Sequence, residues 1–305
     1  MARPAPARIA NKTAQKTTDV RKGILLAVCA VTIFACQDGI SKHLASAYPP
    51  VFVAMMRYWA FAAFVLLFAL RRPGGLRGAA ATPIPLLQLA RGALLGLQIV
   101  VAITAFARIG LVNTLALFAS VPLLVAALSV PVLGEPVGWR RWAAIGAGFV
   151  GIMIILRPGP DLLTSDVWIA LVAVVGFAIY SVMTRIAGRI DDAETSFFYT
   201  GVGGALVLTA IGPFNWTNMT PPDWAWMALL CVMGASGHYL LIRAYEEAAA
   251  VVLQPIIYLQ TVLGTLIGIV VFAEALEPPV ALGAAIVIAA GLFAAWREWV
   301  RKQEG

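Results

Sequence analysis

Residues 105–157, AFARIGLVNTLALFASVPLLVAALSVPVLGEPVGWRRWAAIGAGFVGIMIILR, decide the fold, because their spacing recurs over residues 244–297. In each copy an Ala followed by an aromatic residue, Ala105 with Phe106 and Ala244 with Tyr245, precedes a long apolar run. The run ends at the same distance in Glu135 and Glu274, and a second run rich in Gly and Ala then ends in Arg157 and Arg297. Few letters between these marks are identical, so the repeat is one of spacing. Working back from it, Phe34-Ala35 and Ser41-Lys42 share one offset with Phe177-Ala178 and Thr184-Arg185. The two halves therefore begin as well as end alike.

The 305 residues are 61% hydrophobic and 12% charged, about half the charged fraction of roughly 25% usual in soluble domains. Ten apolar runs can be read, at 23–40, 51–70, 86–107, 111–133, 142–156, 167–183, 196–211, 224–241, 248–272 and 280–296. Most reach the ~17–25 residues that a membrane-spanning helix needs, and the fifth and seventh fall slightly short. Period-2 alternation is absent, and lipid admits only helices or closed barrels. The fold expected is an all-α integral membrane protein of ten transmembrane helices. Five spans per half is an odd number, so the halves are two inverted five-helix repeats, at 22–157 and 167–297. A polar junction at 158–166 joins them, with a basic, disordered tail at 1–21 and a short tail at 298–305.

Positive loops resist translocation. With the amino terminus in the cytoplasm, seventeen Lys and Arg fall on the cytoplasmic side and three, Lys42, Arg108 and Arg157, on the other. Both termini are thus expected to be cytoplasmic in the cell inner membrane. Eight of the nine Trp fall at span boundaries, as an aromatic belt requires, and Trp59 alone is mid-span. The net charge of +7 reflects orientation, and scattered short basic loops make no nucleic-acid surface. Cys29, Cys36 and Cys231 lie within apolar spans as small hydrophobes.

Inverted repeats related by an in-plane pseudo-two-fold are a transporter signature, since two like halves can exchange inward-open and outward-open shapes. The chain resembles the ten-helix EamA-type group of the drug/metabolite transporter superfamily. The resemblance is carried by Lys42 with Tyr48-Pro49-Pro50, Met56-Arg57, Arg91-Gly92, Ala105 to Ala107, Pro122, Gly134-Glu135 and Arg140-Arg141-Trp142. It continues through Gly148 to Gly151, Arg157-Pro158, Pro255 to Tyr258, Gly264, Gly268 and Glu274. Thr261 stands where the first half has Pro122, and Ala273 replaces the Gly before Glu274. The resemblance implies a central cavity lined by the first, third, fourth, sixth, eighth and ninth spans. The runs Asp38 to Lys42 and Arg57-Tyr58-Trp59 look most like bacterial members that include riboflavin uptake carriers.

Polar side chains at membrane depth are the candidate functional groups, because an ionisable group there is costly. Asp38 and Lys42 share one face of the first span, and the short turn at Tyr48 to Pro50 makes the second span its neighbour. An Asp38–Arg57 ion pair is expected, either as a fixed tie or as a gate. Gln98 and His238 occupy symmetric mid-depth positions, where a substrate site is expected, although a packing hydrogen bond would use the same residue types. Tyr180, Ser120, Tyr258 and Gln260 complete the expected substrate-binding set. Glu135 and Glu274 end helices, where the macrodipole disfavours an anion, so each needs another partner. Gly-rich stripes in the fifth and tenth spans suit either internal packing or a homodimer interface.

The function expected is secondary transport of a small organic metabolite, with lipids as surroundings and riboflavin uptake as the specific reading. Export of amino acids or related metabolites is the alternative. No nucleotide-binding loop is present, so no cofactor is expected. A membrane-embedded enzyme would need a polar cluster that two distant His, His43 and His238, do not make. A channel would need a repeated filter or a ring of like charge.

Overall fold

The computed structural model describes residues 19–71, 74–134, 138–157, 166–248 and 250–304. Among them there are helices and turns and no strand. In order they are α1 (Val20–Ala47), α2 (Pro50–Leu70), α3 (Gly75–Ala79), α4 (Pro85–Ile109), α5 (Leu111–Phe118), α6 (Val121–Leu133), α7 (Trp139–Leu156) and α8 (Val167–Ala187). There follow α9 (Ala193–Ile211), a 3-10 turn (Pro213–Asn215), α10 (Pro221–Glu247), α11 (Ala250–Phe272) and α12 (Pro278–Glu304). Eight stretches are long and apolar enough to cross a membrane, with α5 and α6 counting as one, and Trp142–Leu156 is a shorter apolar helix.

The starts of these helices follow from the sequence. Asp19 accepts hydrogen bonds from the Arg21 and Lys22 amides, and Asp192 and Thr220 cap α9 and α10 in the same way. Pro50, Pro85 and Pro221 each open a helix, where the missing N–H costs nothing. The run at 111–133, read as one helix, is broken at Ala119–Ser120. Pro122 has no N–H to donate back into α5, so α5 closes with tight bonds from Ala119 to the Leu115 carbonyl and from Ser120 to that of Leu117. Pro255 lies inside α11, which continues through it. α12 continues through residues 298–304 of the expected tail, and residues 20 and 21 belong to α1. Residues 1–18 of the expected tail, Glu135 and most of the junction lie outside the described residues.

Ion pairs and hydrogen bonds fix how the helices alternate. Lys22 at the start of α1 meets Glu247 at the end of α10 at 2.8 Å, whereas Tyr48, just past α1, donates to Asp223 in the first turn of α10 at 2.7 Å. Arg157 after α7 meets Glu277 before α12 at 2.5 Å. One end of the bundle thus holds the start of α1 and the end of α10; Lys42, Glu274 and Asp223 mark the far end.

Glycines set the closest approaches. A Cβ on Gly203 of α9 would stand 2.9 Å from the Leu89 carbonyl of α4, so these backbones touch. In α7 and α12 the contact is reciprocal: a Cβ on Gly151 would stand 2.8 Å from the Gly283 oxygen, and one on Gly283 2.6 Å from that of Gly151. These stripe glycines are used in internal packing. The apolar core gathers in two main groups, one around Phe52, Met55, Tyr58 and Leu230, the other around Ala105, Leu117 and Val174.

Candidate functional site

A narrow cavity opens between α2, α4 and α10. Arg57, Tyr58 and Phe61 of α2 line it, facing Leu95 and Ile99 of α4 and the face of α10 formed by Leu230, Cys231, Gly234, Ala235 and His238. Each helix contributes residues three or four apart, the spacing that puts side chains on one face. Gly234 and Ala235 keep the α10 wall low. A Cβ at Gly234 would stand 3.2 Å from Gln37 Oε1, a buried oxygen without a hydrogen-bond partner.

His238 closes one side of the cavity within a group of rings. Its centroid lies 5.0 Å from Phe34, 5.4 Å from Phe61 and 6.3 Å from Phe197, and Phe61 meets Phe197 edge to face at 4.9 Å. Gly237 makes room for Phe34, since a Cβ there would stand 2.7 Å from its ring. Ring separations of 4.5–7 Å are those at which aromatic pairs attract. The result is a cluster of mutually packed rings, of which Phe61 and His238 face the cavity.

The expected Asp38–Arg57 ion pair is not formed. Asp38 accepts a hydrogen bond from Gln260 Nε2 of α11 at 2.9 Å, while Arg57 Nη1 donates to Ser41 Oγ at 3.3 Å. Helix geometry explains this: Asp38 and Lys42 share the face of α1 turned to α11, and Gln37 and Ser41 share the adjacent face turned to α2 and α10. Lys42 pairs with Glu274, its ammonium 4.3 Å from the centre of the Phe272 ring. Glu274 also accepts the Leu111 and Val112 amides at 2.8 Å each, so it caps the start of α5, where a helix favours an anion. The partner that Glu274 lacked in sequence is therefore a Lys and a second helix. Ala273, standing in place of Gly, adopts a left-handed φ of 52° to bring the carboxylate round, a conformation that costs a non-Gly residue on the order of 1 kcal/mol.

The other expected site residues scatter. Gln98 is buried in α4 but points away from the cavity, against Gly176 of α8. It does not meet His238. Tyr258 packs into the notch at Gly291 of α12, a packing position between α11 and α12 rather than a cavity wall. The Ser120 hydroxyl donates to the Leu117 carbonyl at 2.6 Å, at the break between α5 and α6. Tyr180 accepts from Arg91 Nη1 at 3.3 Å.

Arg91 is the group the sequence reading undervalued. Only 1% exposed, it donates to Gln88 Oε1 at 2.8 and 3.1 Å, to Thr184 Oγ1 at 3.2 Å and to the Ser196 carbonyl. Gln88 in turn donates to Asp191 at 2.7 Å. An Arg inside the apolar run 86–107 was the available signal. Its partners come from α8, α9 and the turn between them, which spacing alone could not assemble.

The sequence profile of the EamA-like transporter family matches the chain twice, at residues 21–157 and 164–296. Among curated relatives, the S-adenosylmethionine uptake transporter of Rickettsia prowazekii is 27% identical over 90% of this chain and 93% of its own length. The riboflavin transporter of Rhizobium johnstonii is 30% identical over 92% of this chain and 93% of its own. A protein of known crystal structure, 18% identical, superposes with a TM-score of 0.62 over 90% of this chain and 98% of the other; that likeness concerns the fold.

Proposed function

The chain belongs to the EamA-like transporter family, as a multi-pass protein of the cell inner membrane, and from that premise we propose that it takes up a metabolite joining a flat heteroaromatic ring to a polar arm. The observation that carries this reading is the pair of rings that line the cavity, Phe61 and His238, with Phe34 and Phe197 packed against them. Riboflavin and S-adenosylmethionine, the compounds named for the relatives, share that plan and are the first two to test. Transport runs by alternating access between two inverted repeats, at 22–157 and 167–297, with ten spans and both termini cytoplasmic. The Lys42–Glu274 pair ties α1 to the end of α11 and to the start of α5 at the far end of the bundle.

The experiment is uptake of labelled riboflavin and labelled S-adenosylmethionine into liposomes holding the purified protein, with amino acids as competitors. Saturable uptake of either compound, lost in His238→Ala, is the expected result. If neither moves while labelled amino acids leave preloaded vesicles, the ring reading fails and the chain is an amino-acid exporter.

A further inference from the structure

We propose that Arg57 is the second recognition element of this cavity and binds an anionic group, carboxylate or phosphate, on the arm of the substrate. The inference rests on the ring-plus-arm reading above and narrows it to anionic or zwitterionic compounds. Arg57 lines the cavity beside Tyr58, Phe61 and His238. Its guanidinium has five N–H donors, and among the described residues it makes one hydrogen bond, a long one of 3.3 Å to Ser41 Oγ. That hydroxyl spends its own proton on the Gln37 carbonyl at 2.7 Å. Asp38, the nearby carboxylate, acts on Arg57 through its charge, but it is hydrogen-bonded to Gln260 and, among the described residues, makes no direct ion pair with Arg57.

Arg91 shows what this chain does with a guanidinium that has a structural role. All three of its nitrogens are engaged, by Gln88, Tyr180, Thr184 and Ser196. Arg57 has no such cage and lines the narrow cavity. A cation at membrane depth with donors to spare is costly to keep, and a carboxylate or phosphate is the ligand whose geometry its planar fork fits. Phe61 follows Arg57 by one helical turn on the same face, a rise of about 6 Å. A ring lying against Phe61 and His238 therefore brings an arm of a few bonds to the guanidinium.

Two pairs of competitors, differing within each pair by the anion alone, test this in the liposome assay. They are S-adenosylmethionine against its decarboxylated form, and riboflavin 5′-phosphate against riboflavin. In the native protein the anion-bearing member of at least one pair should inhibit at roughly tenfold lower concentration or less, the scale of a charge-assisted pair. Which pair responds identifies carboxylate or phosphate. Arg57→Gln should erase the difference, and Arg57→Lys should keep part of it. Equal inhibition by both members in the native protein overturns the proposal, as does a parallel loss of both in the two variants.

A second measurement needs no substrate. Cys231 lines the same cavity, and in a Cys29→Ala, Cys36→Ala background it is the sole thiol of the three in the sequence. An anionic methanethiosulfonate should modify it faster than a cationic one, with the preference gone in Arg57→Gln; a faster cationic reagent, drawn by Asp38, overturns the assignment. If neither ring compound is carried, the substrate reading fails and Arg57 is judged by the reagent ratio alone.

Discussion

Lys42 and Glu274 are joined across 232 residues of sequence, and their side chains are only 12% and 15% exposed. Removing the charge of one partner leaves the other buried without compensation and weakens the cap on α5. Glu274→Gln should therefore cost about 2–3 kcal/mol, read as a lower melting temperature in detergent; an unchanged melt would show that the pair holds nothing. Tyr258 makes the opposite case. Its hydroxyl is buried without a partner among the described residues, so Tyr258→Phe should be neutral or stabilising by up to about 1 kcal/mol. Uptake should be unchanged, because the side chain packs against α12 and not into the cavity. Sequence placed Tyr258 in the expected substrate-binding set and left Glu274 as a helix-end carboxylate in need of a partner. Depth and residue type marked Asp38, Lys42, Arg57 and His238 as candidates, but the direction each side chain takes depends on which helices pack beside it. That is why an Asp38–Arg57 pair was expected where Asp38 meets Gln260 and Arg57 meets Ser41.

Helix contacts in this bundle are made where side chains are missing. The α7–α12 seam depends on Gly151 and Gly283, each filling the space that a Cβ on the other would need. Gly283→Leu should separate the two helices and cost at least the ~1–3 kcal/mol typical of overpacking. Gly146 of α7 has nothing within 4 Å of an added Cβ, so Gly146→Leu should melt like the native protein; equal effects of the two changes would contradict the seam. The long helices were legible from hydropathy, and Pro50, Pro85 and Pro221 marked three of their starts. The break in the fourth run was not. Pro122 was visible in sequence, yet a Pro inside an apolar run can end a helix or merely start its next turn. Pro255, inside the unbroken α11, shows the second outcome.

Across the whole molecule, hydropathy pointed to an all-helical membrane protein before any contact was known, and the spacing repeat added the expectation of two like halves. A recurrence of Ala-aromatic, Glu and Arg marks survives because helix length and turn position are held by the bilayer, while the letters between them need only be apolar. The family profile's two matches, at 21–157 and 164–296, fall on nearly the same divisions. The cavity was less legible: its walls come from α2, α4 and α10, and α2 entered the sequence reading only through Arg57, Tyr58 and Trp59. Reporter fusions at residue 305 and in the turn between α1 and α2 should read cytoplasmic and periplasmic respectively, and the reverse pattern would contradict the proposed orientation. Recognition as proposed requires the carried compound to occupy the cavity between Arg57 and His238. Its most direct test is the rate at which a thiol reagent modifies Cys231, in the single-thiol protein, with and without the transported metabolite. Saturating metabolite should protect Cys231 with the same concentration dependence as uptake; full labelling while transport is saturated would place the substrate elsewhere and contradict the account.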